Sequence, residues 1–246
     1  HLGVRRQRQM CIRDSVTHII ASIPPSEIGE IALLLHSDEL RDAASLTWVN
    51  YLSTPAVYGD RSGGVASEFD EPTPTSKRGE RRLAAERAWI DTFSDTRVSV
   101  QIMRIAGIYG PGRSVIEQVA AGRARIIEKE GQVFNRIHVD DIGTSLIASM
   151  LRPNDKRIYN LADGNPCASG DVTRYACKLL QVEPPTPIKF EDAQLSDMAR
   201  SFYSECKILE TSRLRNELLV NLRYPSYKEA VSYTHLRAPR PIHISY

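Results

Sequence analysis

The sequence predicts an α/β fold built on a parallel sheet. Short apolar runs rich in β-formers recur at VTHIIAS (16–22), LTWVNYL (46–52) and VSVQIMRI (98–105). Two segments of helical character, 28–44 and 76–93, separate them, and strand, helix, strand, helix, strand is the βαβ signature. The composition, 41% hydrophobic and 25% charged over 246 residues, is that of an ordinary globular protein. That apolar content excludes disorder for most of the chain. No run of ~18 apolar residues is present, which excludes a membrane-spanning helix.

The elements follow in order. The run 16–22 is a buried strand stopped by Pro24 and Pro25. Ile28, Ile31, Leu34, Leu35 and Leu40 give the first helix its apolar residues. After the strand 46–52 come Ser53, Thr54 and the loop VYGDRSGG (57–64). Residues 66–75, with Glu68, Asp70, Glu71, Pro72 and Pro74, form an exposed loop. Ser76 caps the helix 76–93, whose apolar face is Leu83, Ala85, Trp89, Ile90 and Phe93. GIYGPGRS (107–114) is a glycine-rich turn and 114–121 a short helix. Residues 125–137 predict a β-ribbon around Gly131. Asp140 and Asp141 open a helix with the stripe Ile142, Leu146 and Met150. RIYNLA (157–162) is a strand, and 169–182 a helix capped by a Ser or an Asp. PPTP (184–187) is a break, and a last helix spans roughly 205–218.

The two ends differ from the middle. Residues 1–15 carry four arginines against one aspartate, and residues 232–246 two arginines and no acid. Those ends hold five net positive charges, so the body carries −3 where the whole chain carries +2. An acidic body argues against a nucleic-acid partner. Both ends, RQRQMCIRDS and VSYTHLRAP in particular, resemble translated sequencing-adapter strings and are excluded from the fold as a tag is. Cys167, Cys177 and Cys206 are dispersed, with no C-x-x-C and no metal-ligand spacing. They point to free thiols in a reducing cytosol, hence a cytoplasmic protein without a metal site.

Four segments, in order, resemble the extended short-chain dehydrogenase/reductase superfamily, the NAD-dependent epimerase/dehydratase group. YLSTPAVYG (51–59) resembles its S-S/T-x-x-V-Y-G strand end, and RGERRLAAE (78–86) its Y-G-x-S-K-L-x-x-E helix. MRIAGIYGPG (103–112) is the third, and NRIHVDDI (135–142) followed by IYNLADG (158–164) the fourth. The pattern Y-L-S-T-x-x-V-Y-G-D-x-x-G-G is most similar to divergent bacterial oxidoreductase-like members. The resemblance implies the C-terminal part of a Rossmann-like doubly wound parallel sheet plus a small α/β substrate lobe. The family opens with a strand and a G-x-x-G-x-x-G turn that cradles a pyrophosphate. This sequence has no such motif, and THIIA (17–21) matches the family's fourth strand. The expectation is an N-terminally truncated fragment. It comprises a foreign-looking tail (1–15), a cofactor-domain remnant lacking three strands (16–112), a mainly substrate-binding lobe with elements returning to the sheet (113–231), and a second tail (232–246).

The resemblance also implies a chemistry. In the family a tyrosine hydroxyl exchanges a proton while a nicotinamide exchanges a hydride, and a lysine four residues on lowers the tyrosine's pKa. Thr54 occupies the family's Ser/Thr position, Arg78 the tyrosine position and Arg82 the lysine position. Arginine keeps its proton, so Arg78 cannot be the acid/base, whereas Arg82 can bind ribose or phosphate as a fixed charge. Glu86, four residues after Arg82, is placed to relieve the repulsion between the two arginines. Tyr58, Tyr109 and His138 are candidate replacements for the tyrosine. Ser22, Ile23, Pro24, Thr54, Arg82, Arg104, Ile105, Ala106 and Ile108 are the expected cofactor contacts, and Tyr109 and Arg136 the expected substrate contacts. The cofactor is NAD or NADP, and the substrate a nucleotide-sugar or another small carbonyl or hydroxyl compound. The expected activity is that of an NAD(P)-dependent oxidoreductase or epimerase, inactive in this fragment. The alternative is a non-catalytic nucleotide-binding or sensing protein on the same fold. A second copy of the chain is the one protein partner expected.

Overall fold

The computed structural model describes residues 15–237. Residues 1–14 and 238–246, most of the two predicted tails, lie outside the described residues. The first half alternates as predicted: β1 (His18–Ala21), α1 (Ile31–Arg41), β2 (Trp48–Ser53), the short β3 (Val65–Ala66), α2 (Lys77–Thr92) and β4 (Ser99–Ile105). Then come β5 (Gly107–Tyr109), α3 (Val115–Ala120), β6 (Ile127–Glu128), β7 (Arg136–His138), α4 (Val139–Leu151) and β8 (Arg157–Leu161). The chain closes with α5 (Ser169–Leu180), β9 (Ile188–Lys189), α6 (Asp197–Tyr203), β10 (Ile208–Leu209), α7 (Ser212–Asn216) and α8 (Tyr227–Arg237).

The main sheet is parallel in the order β1-β2-β4-β8, with Trp48 between His18 and Ser99 and Gln101 opposite Arg157. β2 and β4 are buried along almost their whole length, as parallel strands covered on both faces must be. Ser76 caps α2 by accepting from the Gly79 amide, and Leu83, Ala85, Trp89 and Phe93 pack inward. Gly79 is required by close approach, since a Cβ there would lie 2.6 Å from the Ala56 carbonyl oxygen.

Several polar side chains inside the sheet are paired. Trp48 Nε1 donates to Gln101 Oε1 (2.6 Å), which also accepts from the Ser149 hydroxyl. Ser145, Ala148 and Ser149 therefore face the core from α4 beside Ile142, while Leu146 and Met150 of the predicted stripe are only partly buried. Small residues let α4 approach the sheet, where larger ones would hold it off.

Four local expectations are corrected. Residues 125–137 form no ribbon: β6 pairs in parallel with β9, and β7 with β5. Both partners lie outside the segment, beyond the reach of a local pattern. The helix 205–218 is β10 followed by the five-residue α7, because the Glu210 carboxylate accepts from the Ser212 amide (2.7 Å) and restarts the chain there. α5 is preceded by Ala168 with no side-chain cap, in place of a Ser or Asp. Glu86 does not serve Arg82. It forms a two-pronged ion pair with Arg104 (2.7 and 3.1 Å) at the end of β4 and accepts from the Ser53 hydroxyl at the end of β2.

That ion pair is sealed from water, each side chain being 2% exposed. Removing one partner strands the other charge, so Glu86→Ala should cost about 3–5 kcal/mol in chemical denaturation, while the double variant Glu86→Leu/Arg104→Met should recover most of that loss.

Candidate functional site

Ligands of open α/β sheets sit beyond the carboxyl ends of the strands. Ser22, Ile23 and Pro24 follow β1 and are exposed. Thr54 follows β2, is half-buried, and accepts from the Ala56 amide (3.4 Å) as the cap of a short turn, Pro55–Tyr58. Gly59 ends that turn at φ +66°, where a Cβ would strike the Thr73 carbonyl. Ile105, the last residue of β4, and Ala106 after it are buried, and Ile108 is exposed.

Two predicted residues point inward. Tyr58 is fully buried and its hydroxyl donates to Asn160 Oδ1 (2.8 Å). The Arg104 guanidinium lies 4.6 Å from the centre of the Tyr58 ring and is held by Glu86. Burial raises the Tyr58 hydroxyl pKa against the lowering effect of Arg104. Neither side chain is presented to solvent, both residues being buried.

Arg78 and Arg82 differ in their surroundings. Arg78 is exposed, its guanidinium 5.2 Å from the centre of the Phe202 ring. Arg82 donates to the Leu52 carbonyl (2.8 Å) and to the Tyr51 hydroxyl (3.1 Å), which fixes its charge at the end of β2. The buried Glu30 carboxyl faces it, raised by desolvation and moderated by the Ala32 amide and Arg82. Burial pushes the Tyr51 hydroxyl up to about 12.

The second group of candidates comes together through the parallel pair β5–β7, which sets Tyr109 beside His138 and Gly107 beside Arg136. Tyr109 and Arg136 line one cavity of about 270 Å³, shared with Arg113, Arg125, His138 and Tyr227. Three arginines give its wall a positive charge. Arg136 is oriented by the carbonyls of Phe134 (2.9 Å) and Cys167 (3.0 Å). His138 Nδ1 accepts from the Asp140 amide (3.2 Å) and so caps α4, and burial lowers the ring's pKa. In that position the ring serves the start of the helix as well as the cavity wall. A second cavity of about 540 Å³ adjoins the first, sharing Ser169 and Tyr203, and mixes Glu128, Lys129, Arg174 and Lys189.

Sequence reasoning missed Asp163. It follows β8, is 6% exposed, and burial pushes its carboxyl up to about 7. The signal was present, an aspartate at the carboxyl end of a parallel strand. Arg113 and Arg125 carried no comparable signal. Among the described residues, no cluster of three or more His, Cys, Asp or Glu stands where it could hold a metal, and no helix is long and apolar enough to cross a membrane.

The parallel sheet order and the strand ends on its ligand side define a class of fold. The chain's fold is that of the NAD-dependent epimerases and dehydratases. Among curated proteins it is 30% identical over 201 residues to protein YeeZ of Escherichia coli K12, covering 80% of this chain and 67% of that one. Among solved structures it is 41% identical to a functionally unknown conserved protein from Silicibacter pomeroyi DSS, with a TM-score of 0.86 over 90% of this chain and 78% of that one. MoeE5 in complex with UDP-glucose and NAD shares the fold at 21% identity, with a TM-score of 0.71 over 92% of this chain and 80% of that one. No family model matches the chain.

The pKa of Asp163 sets a pH dependence. A carboxyl raised from 3.8 to about 7 in the fold contributes stability that is complete below its unfolded pKa and lost as pH rises through about 7. Asp163→Asn should therefore show a Tm advantage over the wild type that grows from about pH 4 to about pH 8 in thermal melts.

Proposed function

We propose that the protein is an NAD(P)-dependent oxidoreductase or epimerase whose substrate is a nucleotide-sugar or a comparable small carbonyl or hydroxyl compound. The observation that carries this reading is the arginine-lined cavity beside the β5–β7 pair, next to the strand ends where this superfamily works. Arg113, Arg125 and Arg136 suit a diphosphate, and Tyr109 lines the same cavity beside them. MoeE5, with UDP-glucose and NAD bound, gives the chemical class of ligand to test first.

The residues beyond β1 and β2 fit the nicotinamide half of a dinucleotide. Ile23, 53% exposed, supplies an apolar face, Pro24 adds no amide donor, and Arg82 is a fixed cation within reach of a ribose or phosphate. Bound there, a nicotinamide would supply or accept a hydride at the substrate carbon. The sequence contains no G-x-x-G-x-x-G to cradle the pyrophosphate, so this chain should bind NAD and NADP weakly.

A second reading is ligand binding without turnover. It is favoured by Arg78 at the family's tyrosine position, where a permanently protonated group cannot exchange a proton.

Isothermal titration with UDP-glucose separates these readings when followed by a nicotinamide-coupled turnover assay. Binding with turnover supports the enzyme, and binding alone supports the second reading. No UDP-glucose binding overturns both. Arg113 is exposed and outside the core, so Arg113→Gln should weaken UDP-glucose about tenfold without changing the melting temperature.

A further inference from the structure

We propose that Arg78 is a positioning residue for the arginine-lined cavity: through Phe202 it holds α6, whose Tyr203 forms part of the cavity wall. The proposal rests on the reading that this cavity takes the anionic ligand. It gives the arginine at the family's tyrosine position a task that needs no proton exchange.

Phe202 and Tyr203 close α6 and meet different surroundings. Phe202 is 48% exposed, and the Arg78 guanidinium lies 5.2 Å from the centre of its ring. Tyr203 is buried and lines both cavities. Its ring meets Phe134 edge-on, with 5.1 Å between ring centres, and stacks on Phe190 at the same separation. Its hydroxyl stands 3.2 Å from that of Ser169, the other residue the two cavities share. The last turn of α6 therefore joins Arg78 on one side to the cavity walls on the other.

α6 depends on such a hold. It has seven residues, too few for a stable isolated helix, and only Tyr203 among them is buried. Ser196 fixes its start by accepting from the Ala199 amide (3.2 Å), and Lys129 Nζ donates to the Tyr203 carbonyl at its end. Arg78 ties the helix to the main sheet as well. It stands in the first turn of α2, which Ala85 and Trp89 anchor in the core beside Val49 and Tyr51 of β2. Arg82, one turn on, is drawn toward β2 by the Leu52 carbonyl, so the two arginines serve separate partners. The Thr75 hydroxyl adds a second link, donating to Glu205 Oε1 (3.0 Å) just beyond α6.

A guanidinium over an exposed aromatic ring shifts an equilibrium by about two- to fivefold. A wall already in place when the ligand arrives spares the complex the cost of ordering it. Arginine also lays an apolar stem along the ring, so packing and charge have to be separated. R78M keeps a stem and removes the charge, whereas R78K keeps the charge.

The test combines hydrogen exchange of the full chain without ligand and titration with UDP-glucose. It uses the wild type, R78M, R78K, F202L and the double variant R78M/F202L. R78M and F202L should each speed amide exchange in α6 about two- to fivefold, leave the rest of α2 unchanged, and weaken UDP-glucose by a similar factor. R78K should stay closer to the wild type than R78M on both measures. The double variant should lose no more than either single variant, since all three remove the same contact. Wild-type α6 exchange or wild-type affinity in R78M overturns the proposal, as does R78K behaving like R78M. F202L decides the matter if R78M fails to fold. Absence of UDP-glucose binding in the wild type removes the functional reading instead, and α6 exchange then decides whether Arg78 holds the helix.

Discussion

The buried ion pair between Arg104 and Glu86 ties the ligand side of the sheet together. It joins the end of β4 to α2, and through the Ser53 hydroxyl it reaches the end of β2. Arg104 lies over Tyr58, Tyr58 donates to Asn160, and the Asn160 side-chain amide donates to the Ala66 and Glu210 carbonyls. One connected polar network thus fixes β2, β4, β8 and the β3–β10 pair against one another. Such a network is costly when incomplete and rigid when complete. Because its members face inward, the residues beside them, Thr54 and Arg82, are held at the surface of the strand ends.

The alternation of strands and helices was legible because each element carries its own period and its own stop signal. Ser76 is a cap that a sequence can show, and so is the run of β-formers in β2. The pairings β5–β7 and β6–β9 were not legible. Each joins short strands far apart in sequence, and two or three residues carry no period. The partner of Glu86 was misread for a related reason. Helical spacing offered Arg82 at i−4, and only the assembled sheet brings Arg104 to the same carboxylate.

The site divides along the same line. Tyr109 and Arg136 were named from motifs and stand on one cavity, because their strands pair in parallel. Tyr58 and Arg104 were named on the same grounds and form the network beneath. A motif records that a residue type is needed at a place in the fold, and burial decides whether the side chain serves the core or the ligand. Asp163 became visible only once its orphaned oxygen and its charged neighbours were assembled.

The architecture that results is bipartite. Fixed strand ends with Arg82 lie on one side, and an arginine-lined cavity that includes Tyr109 lies on the other. The short segment from Ile105 to Tyr109 connects them. The most direct test of this account is a crystal structure of the protein with UDP-glucose. The account predicts the diphosphate against Arg113 and Arg136, with the sugar against Tyr109. UDP-glucose seated in the larger mixed-charge cavity, with Tyr109 untouched, would contradict it.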